Sequence, residues 1–256
     1  MGEQKPSDRR ARAEQLRKER ERSERRRRNA ITGGIVAAVV VLIAVAGIGI
    51  YAATNNDDEG SGTDLVGFPA DGIVYDQEAA TGEASDGDPV DVVIYEDFQC
   101  PACKAFDQAT RDLVADYVAD GTIRVAYEPL NYIDQMMGGS TSYSLEAANA
   151  ATCVFEQQDG QAFHEFSALL FDDQLPEGSP GFSDQQYVAY AKQAGATGIE
   201  SCLSGRPHQG EIEDRTRTFA TSAVGKDGTP SVVVDGEKLA DISPQGLSAA
   251  IDEAAG

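Results

Sequence analysis

Two cysteines in Cys100-Pro101-Ala102-Cys103 carry the chemistry most plainly written in this chain. An apolar, strand-like run precedes them and a helix-like run follows. Thiols at this spacing can close a disulfide across the first turn of a helix. The free N–H groups and positive dipole at that helix start favour a thiolate on the leading sulfur. The chemistry such a pair supports is thiol–disulfide exchange. The same spacing serves zinc sites, but those usually need four Cys or His ligands. The remaining cysteines, Cys153 and Cys202, are remote, and the only histidines are His164 and His208. A purely structural disulfide is the third reading. The strand-then-helix setting favours redox chemistry, with no metal at the pair.

The elements that must position the pair can be read from periodicity. Val90–Phe98 holds the continuous apolar run Val92–Tyr95, which suits a strand covered on both faces. Phe106, Thr110, Leu113 and Tyr117 recur at helical spacing, predicting a helix from about Cys103 to Ala119. Gly121 ends it, and Thr122–Tyr127 reads as a second strand. The thiols then sit at the C-terminal end of the first strand, the edge where open α/β sheets place their reaction sites. Residues from about 140 to 222 read as helical, with Leu145, Ala148, Thr152 and Phe155 on one face. Phe163, Phe166, Leu169 and Leu170 form a second cluster, and Ile212, Phe219, Ala220 and Ala223 suit a third helix. Ser231–Val234, a turn at Asp235-Gly236 and Glu237–Ala240 make a hairpin. Ser243 as N-cap and Pro244 at the first helical position open a last helix. The expected fold class is α/β with a helical insertion at about 137–222.

Charge divides the 256 residues into two regions. Residues 1–28 hold 12 basic against 6 acidic side chains, and the rest of the chain holds 9 against 37. So acidic a body argues against nucleic-acid binding. The arm 1–28 has i,i+4 pairs such as Glu21/Arg25, and reads as a cytoplasmic topology signal. Segment 29–53 is uncharged and rich in Ile, Val and Ala. At 1.5 Å per residue it is long enough for a hydrocarbon core of about 30 Å. It is longer than a secretory signal's apolar core, so an uncleaved anchor in the lipid bilayer is expected in preference to a cleaved leader. Arg25–Arg28 on one side and acidic residues on the other put the N-terminus in the cytoplasm and the remainder outside. Residues 54–64 read as a linker, and 65–256 as the globular domain. Four cysteines, all in the outer part, suit an oxidising compartment.

The run Glu96-Asp97-Phe98-Gln99-Cys100-Pro101-Ala102-Cys103, with Gly228-Thr229-Pro230-Ser231 downstream, resembles the DsbA-like branch of the thioredoxin superfamily. The likeness covers roughly residues 88–256. With the membrane segment, the layout resembles anchored actinobacterial extracytoplasmic members. The resemblance implies a thioredoxin-like fold, with Cys100 as the exposed nucleophile and Cys103 as the buried resolving thiol. It implies a supporting role for Pro101, Ala102, Thr229 and Pro230, and a cis Thr229–Pro230 bond. A trans bond with Pro230 merely opening an edge strand is the alternative. Two features depart from the family. The buried acid often found six residues before the first cysteine is Ile94 here, leaving open whether Glu96 or Asp97 assists proton transfer. Ala102 stands where the strongest oxidases carry histidine.

Two further cysteines in an exported chain are expected to pair, and the resemblance favours a structural Cys153–Cys202 bridge. Closing a loop of 49 residues is worth about 4 kcal/mol in the chain-entropy model. Buried free thiols or a second redox relay are the other readings. His164, between Phe163 and Phe166, reads as a packed structural residue, and His208 as a loop or helix-start residue. The expected activity is disulfide formation in reduced exported proteins, with no bound cofactor. By resemblance the reoxidant is a membrane protein of the DsbB or vitamin K epoxide reductase type. The alternatives are a reductase or isomerase, or a non-catalytic binding module or metallochaperone on the same fold.

Overall fold

A computed structural model of the chain describes residues 65, 67–69, 72–85 and 87–256. The expected basic arm 1–28, anchor 29–53 and linker 54–64 all lie outside these residues. Among the described residues no helix is long and apolar enough to cross a membrane.

Five strands form one sheet: β1 (Ile73–Tyr75), β2 (Val90–Glu96), β3 (Ile123–Pro129), β4 (Ser231–Val234) and β5 (Glu237–Lys238), in the order β1-β3-β2-β4-β5. Among the described residues only β2 and β3 run parallel. A parallel pair needs a crossover, and α2 (Pro101–Ala119) supplies it. The central strand β2 explains the apolar run: Val92 and Ile94 face one core cluster, Val93 and Tyr95 the other, all nearly fully buried. The first cluster lies under α2 and the inserted helices. The second lies under Phe219 and Val224.

α2 begins two residues earlier than its periodicity predicts, because Pro101 at its first position has the fixed φ a helix needs and no N–H to lose. Its buried face is Cys103, Phe106, Thr110, Val114 and Val118; Leu113 and Tyr117 are only partly buried. The stripe is thus rotated from the expected one. Gly121 closes the helix in a left-handed conformation, φ 79°.

The insertion contains α3 (Tyr132–Met136), α4 (Tyr143–Gln157), α5 (Gly160–Asp172), α6 (Asp184–Gln193), α7 (Glu200–Gly205) and α8 (Gln209–Thr221). α4 is buried around most of its circumference, so a single apolar face describes it poorly. On α8 the buried residues are Ile212, Thr216 and Phe219; Ala220, and Ala223 just beyond the helix, are exposed, contrary to the expected face. α5 starts at Gly160, where a Cβ would stand 2.0 Å from the Val74 carbonyl oxygen of β1. Arg111 of α2 ties the layers together through Asp107 on its own helix and Asp172 on α5.

The β4–β5 turn has φ 46° at Asp235 and 83° at Gly236, the double positive φ of a two-residue hairpin. β5 ends at Lys238 rather than Ala240. The last helix, α9 (Pro244–Ala255), is capped by the Ser243 hydroxyl, which accepts from the Gly246 N–H at 3.2 Å. Four elements were not anticipated: the three-residue β1, the short helix α1 (Gln77–Thr81), α3, which starts the insertion at Tyr132 rather than about 137, and a 3-10 turn at Val224–Asp227.

Candidate active site

β2 ends at Glu96, and residues 97–100 turn the chain into α2. Cys100 is the N-cap of α2 in an extended conformation, so its sulfur stands before the first free amides of that helix. Both cysteines are free thiols. Cys103 is 1 % exposed, as expected, but Cys100 is 6 % exposed rather than an open thiol, because the Thr229 backbone lies against its sulfur. The Cys100 thiol is lowered to about 6, chiefly by the hydrogen bond it receives from Cys103. The Thr229 side chain and the amides of Cys103 and Ala102 add to this, against the cost of burial. Cys103 is pushed well above its ordinary value, first by burial and then by its role as donor to Cys100. The pair is therefore split into one sulfur that ionises readily and one that does not.

The Gly228–Ser231 loop faces Cys100. The Thr229–Pro230 peptide is cis. The Cys100 thiol donates to the Thr229 carbonyl at 3.5 Å. That bond needs the proton, so it belongs to the neutral thiol and cannot hold the thiolate. The Thr229 hydroxyl, buried without another partner, is the group that can. Ser231 braces the loop by donating to the carbonyls of Val224 and Gly228 at 3.0 and 2.8 Å. Antiparallel pairing of Ser231 with Tyr95 fixes that loop beside the end of β2.

Both acids before the pair are buried, in different places. Glu96 points toward α5, where the Ser167 hydroxyl lies 3.5 Å away, and burial followed by nearby Asp107 raises it well above the carboxylate range. Asp97 lies at the sulfurs. Its backbone N–H donates to Cys103 Sγ at 3.4 Å, and its carboxylate accepts from the Gln99 and Ile133 amides at 2.8 and 2.9 Å. Burial raises Asp97 to about 7, with those two amides pulling the other way. Ile94 is a core residue, 1 % exposed.

Gln99 and Gln174 hold the turn, and neither stands out in the sequence. The Gln99 amide is fully buried. It donates to Asp134 Oδ1 at 3.1 Å and Ser144 Oγ at 3.0 Å, and accepts from the Gly178 N–H at 2.5 Å. Gln174 donates to the carbonyls of Phe98 and Cys100, both at 3.0 Å. Only the position of Gln99 directly before Cys100 is visible in the sequence; its partners are not.

Cys153 of α4 and Cys202 of α7 form a disulfide with a Cα–Cα distance of 5.9 Å, remote in sequence from the reactive pair. His164 is buried, stacks on Tyr75 at 4.6 Å and meets the Tyr127 hydroxyl at 3.1 Å. Its value falls to about 4, first through burial and then through Arg111, so it is a neutral core residue. His208 is the N-cap of α8.

The model of a thioredoxin family matches residues 81–253. The chain belongs to this thioredoxin family. Its fold and its cysteine pair put it with the DsbA-like thiol–disulfide oxidoreductases. It is 28 % identical to DsbA of Mycobacterium tuberculosis in a superposition covering 73 % of this chain and 93 % of that one, with a TM-score of 0.60. The reduced form of DsbG from the same organism gives 27 % identity over 73 % of this chain and 89 % of that one, TM-score 0.62. A probable disulfide bond formation protein D of Bacillus anthracis is 26 % identical over 86 % of this chain and 94 % of that protein. The M. tuberculosis serine/threonine-protein kinase PknE is 28 % identical over 150 residues, 56 % of this chain; the chain spans only about a quarter (26 %) of that kinase's length.

Proposed function

We propose that the chain is an extracytoplasmic oxidase that introduces disulfides into reduced exported proteins, with Cys100 as nucleophile and Cys103 as resolving thiol. One observation carries this reading: Cys100 sits at the α2 N-terminus, ionises near 6, and faces a cis Thr229–Pro230 loop. A thiolate so stabilised favours the reduced pair, which makes the corresponding disulfide a better oxidant.

In the oxidised enzyme a substrate thiolate attacks Cys100 Sγ. The Cys100–Cys103 bond breaks and its electrons leave on Cys103. Buried Cys103 holds a proton strongly, and this proposal assigns its supply to Asp97, which burial raises to about 7 and whose backbone N–H meets Cys103 Sγ. A second substrate thiolate then attacks the substrate sulfur of the mixed disulfide. It expels Cys100, a good leaving group because of its low value. The substrate gains a disulfide, and the enzyme keeps two electrons as two reduced cysteines. The Thr229 backbone can pair with an extended substrate segment during this exchange. Met136 and Met137, the exposed large apolar residues among those described, sit at the end of α3. The Met137 methyl lies over Gly178, next to Gln99, and offers a soft surface to an unfolded chain.

In this proposal segment 29–53 anchors the domain, 54–64 is its tether, and a quinone-coupled membrane protein of the DsbB or vitamin K epoxide reductase type reoxidises the pair. The test is oxidation of a reduced, unfolded disulfide protein by the oxidised full chain, followed by mass spectrometry. Stoichiometric disulfide transfer, abolished by Cys100→Ser, is expected; transfer that survives the substitution overturns the proposal. Equilibration with glutathione fixes the direction. A potential near about −120 mV marks an oxidase, and one near about −270 mV marks the reductase alternative.

A further inference from the structure

The Cys153–Cys202 disulfide has neighbours that a structural staple does not need. Both sulfurs and a ring nitrogen of His208 lie within 4.8 Å of one another. His208 Nε2 is 3.6 Å from Cys202 Sγ and 3.1 Å from Glu156 Oε2. One nitrogen thus faces a sulfur and a carboxylate at once. We propose that reducing this disulfide converts the corner into a zinc site with Cys153, Cys202, His208 and Glu156 as ligands.

Tetrahedral zinc, with bonds of about 2.0–2.3 Å, holds adjacent donor atoms roughly 3.3–3.8 Å apart. The two distances from Nε2 are already close to that spacing. What prevents coordination is the covalent bond between the sulfurs, and reduction removes it. Side-chain rotation about Cα atoms 5.9 Å apart can then bring the sulfurs to ligand spacing. Cys153 and Glu156 are one turn apart on α4, Cys202 is on α7, and His208 caps α8. A bound ion would tie the same helices that the disulfide ties.

Asn149 is the independent observation. It is 2 % exposed, one turn before Cys153 on α4. Its Nδ2 donates to Cys153 Sγ at 3.6 Å, and its Oδ1 accepts the His208 backbone N–H at 3.4 Å. A disulfide sulfur is a weak acceptor, whereas a metal-bound thiolate gains from such a donor. The same side chain therefore serves one ligand and positions another. Cys153 and His208 are buried, while the Glu156 side chain is 50 % exposed, which leaves a side open for the ion to enter.

A low-potential dithiol reductant outside this chain, of the kind that can reduce a structural disulfide, gives two electrons and two protons. The Cys153–Cys202 bond breaks to two thiols, and the donor becomes a disulfide. Zinc displaces the two thiol protons to solvent. A disulfide oxidant later takes two electrons, the Cys153–Cys202 bond re-forms, and the ion leaves as Zn²⁺.

The test uses the full chain carrying Cys100→Ser and Cys103→Ser, so that no other thiols compete. The protein is reduced with a phosphine, freed of it, and titrated with Co²⁺ and then Zn²⁺. We expect one Co²⁺ per reduced chain, with a thiolate-to-cobalt band and the visible bands of a tetrahedral site, displaced by Zn²⁺. The oxidised chain should bind none. His208→Ala should weaken Zn²⁺ at least about tenfold and change the cobalt spectrum, and Asn149→Ala should weaken it less. The proposal is overturned if the reduced chain takes up no Co²⁺, or if His208→Ala leaves affinity and spectrum unchanged. Circular dichroism covers loss of fold: helicity lost on reduction and restored by one equivalent of Zn²⁺ supports the site, and helicity that zinc does not restore overturns it.

Discussion

Cys103 donates the hydrogen bond that does most to keep Cys100 ionised. Replacing it with alanine deletes that donor and leaves the helix amides and Thr229 in place. A hydrogen bond to a charged group is worth about 1.5–3 kcal/mol. At about 1.4 kcal/mol per unit, its loss should raise Cys100 by about one to two units, from about 6 to about 7–8. Cys103→Ser keeps an O–H donor at the same place and should stay close to the native value. The assay is the ultraviolet absorbance of the thiolate during a pH titration, checked by the pH dependence of alkylation. If Cys103→Ala still ionises near 6, the helix start alone holds the anion and the division of labour between the two sulfurs is wrong. If serine shifts the value as far as alanine does, the effect belongs to sulfur and not to a donated proton.

Other outcomes follow from the same structure. Asp97→Asn should remove an inflection near pH 7 from the single-turnover exchange rate and slow the step by about 10–100-fold; an unchanged profile would exclude Asp97 as proton source. In the reduced chain Cys100 is lowered from 9.0 to about 6, so the folded state has lost a proton that the unfolded state still holds. That contribution is complete above about pH 9, fades as pH falls, and is gone below about pH 6, with an upper bound of about 4 kcal/mol. Urea unfolding of the reduced protein against its Cys100→Ser variant should show a gap that widens with pH across that window, and a constant gap would contradict the assignment. Replacing both Cys153 and Cys202 by alanine opens a 49-residue loop and should cost about 2–4 kcal/mol by denaturant titration. Gly160→Ala would drive a methyl group into the Val74 carbonyl and should cost at least about 2 kcal/mol, whereas Gly87→Ala, with open space around it, should cost little.

The parts of the fold that local sequence could reveal were those with a strong period or strong punctuation. Val92–Tyr95 suits a strand covered on both faces and Ser243-Pro244 suits a helix start, and both elements form there. β1 is three residues long and gains its place from pairing with β3, some fifty residues downstream, so no local pattern marks it. The near-total burial of α4 was hidden for a similar reason, since small residues such as Ala147, Ala150 and Ala151 look neutral until neighbours pack on every side. At the site, the spacing of Cys100 and Cys103 was legible. The choice between Glu96 and Asp97 was not, because strand alternation ends at Glu96 and the chain turns at the next residue. The contacts of Gln99 with Asp134 and Ser144, and of His208 with Glu156, join residues 35 to 52 positions apart, which only the tertiary structure brings together.

Gln99 has one further effect. A single amide group bolts the reactive turn to three separate stretches of the inserted layer: Asp134, Ser144 and the backbone at Gly178. Sliding sheet and insertion past one another would break these bonds, two of which lie between buried side chains. The two layers should accordingly melt as one cooperative body. Shearing that bolt, by trimming the glutamine to alanine, would let the insertion loosen first, turning a single unfolding step into two.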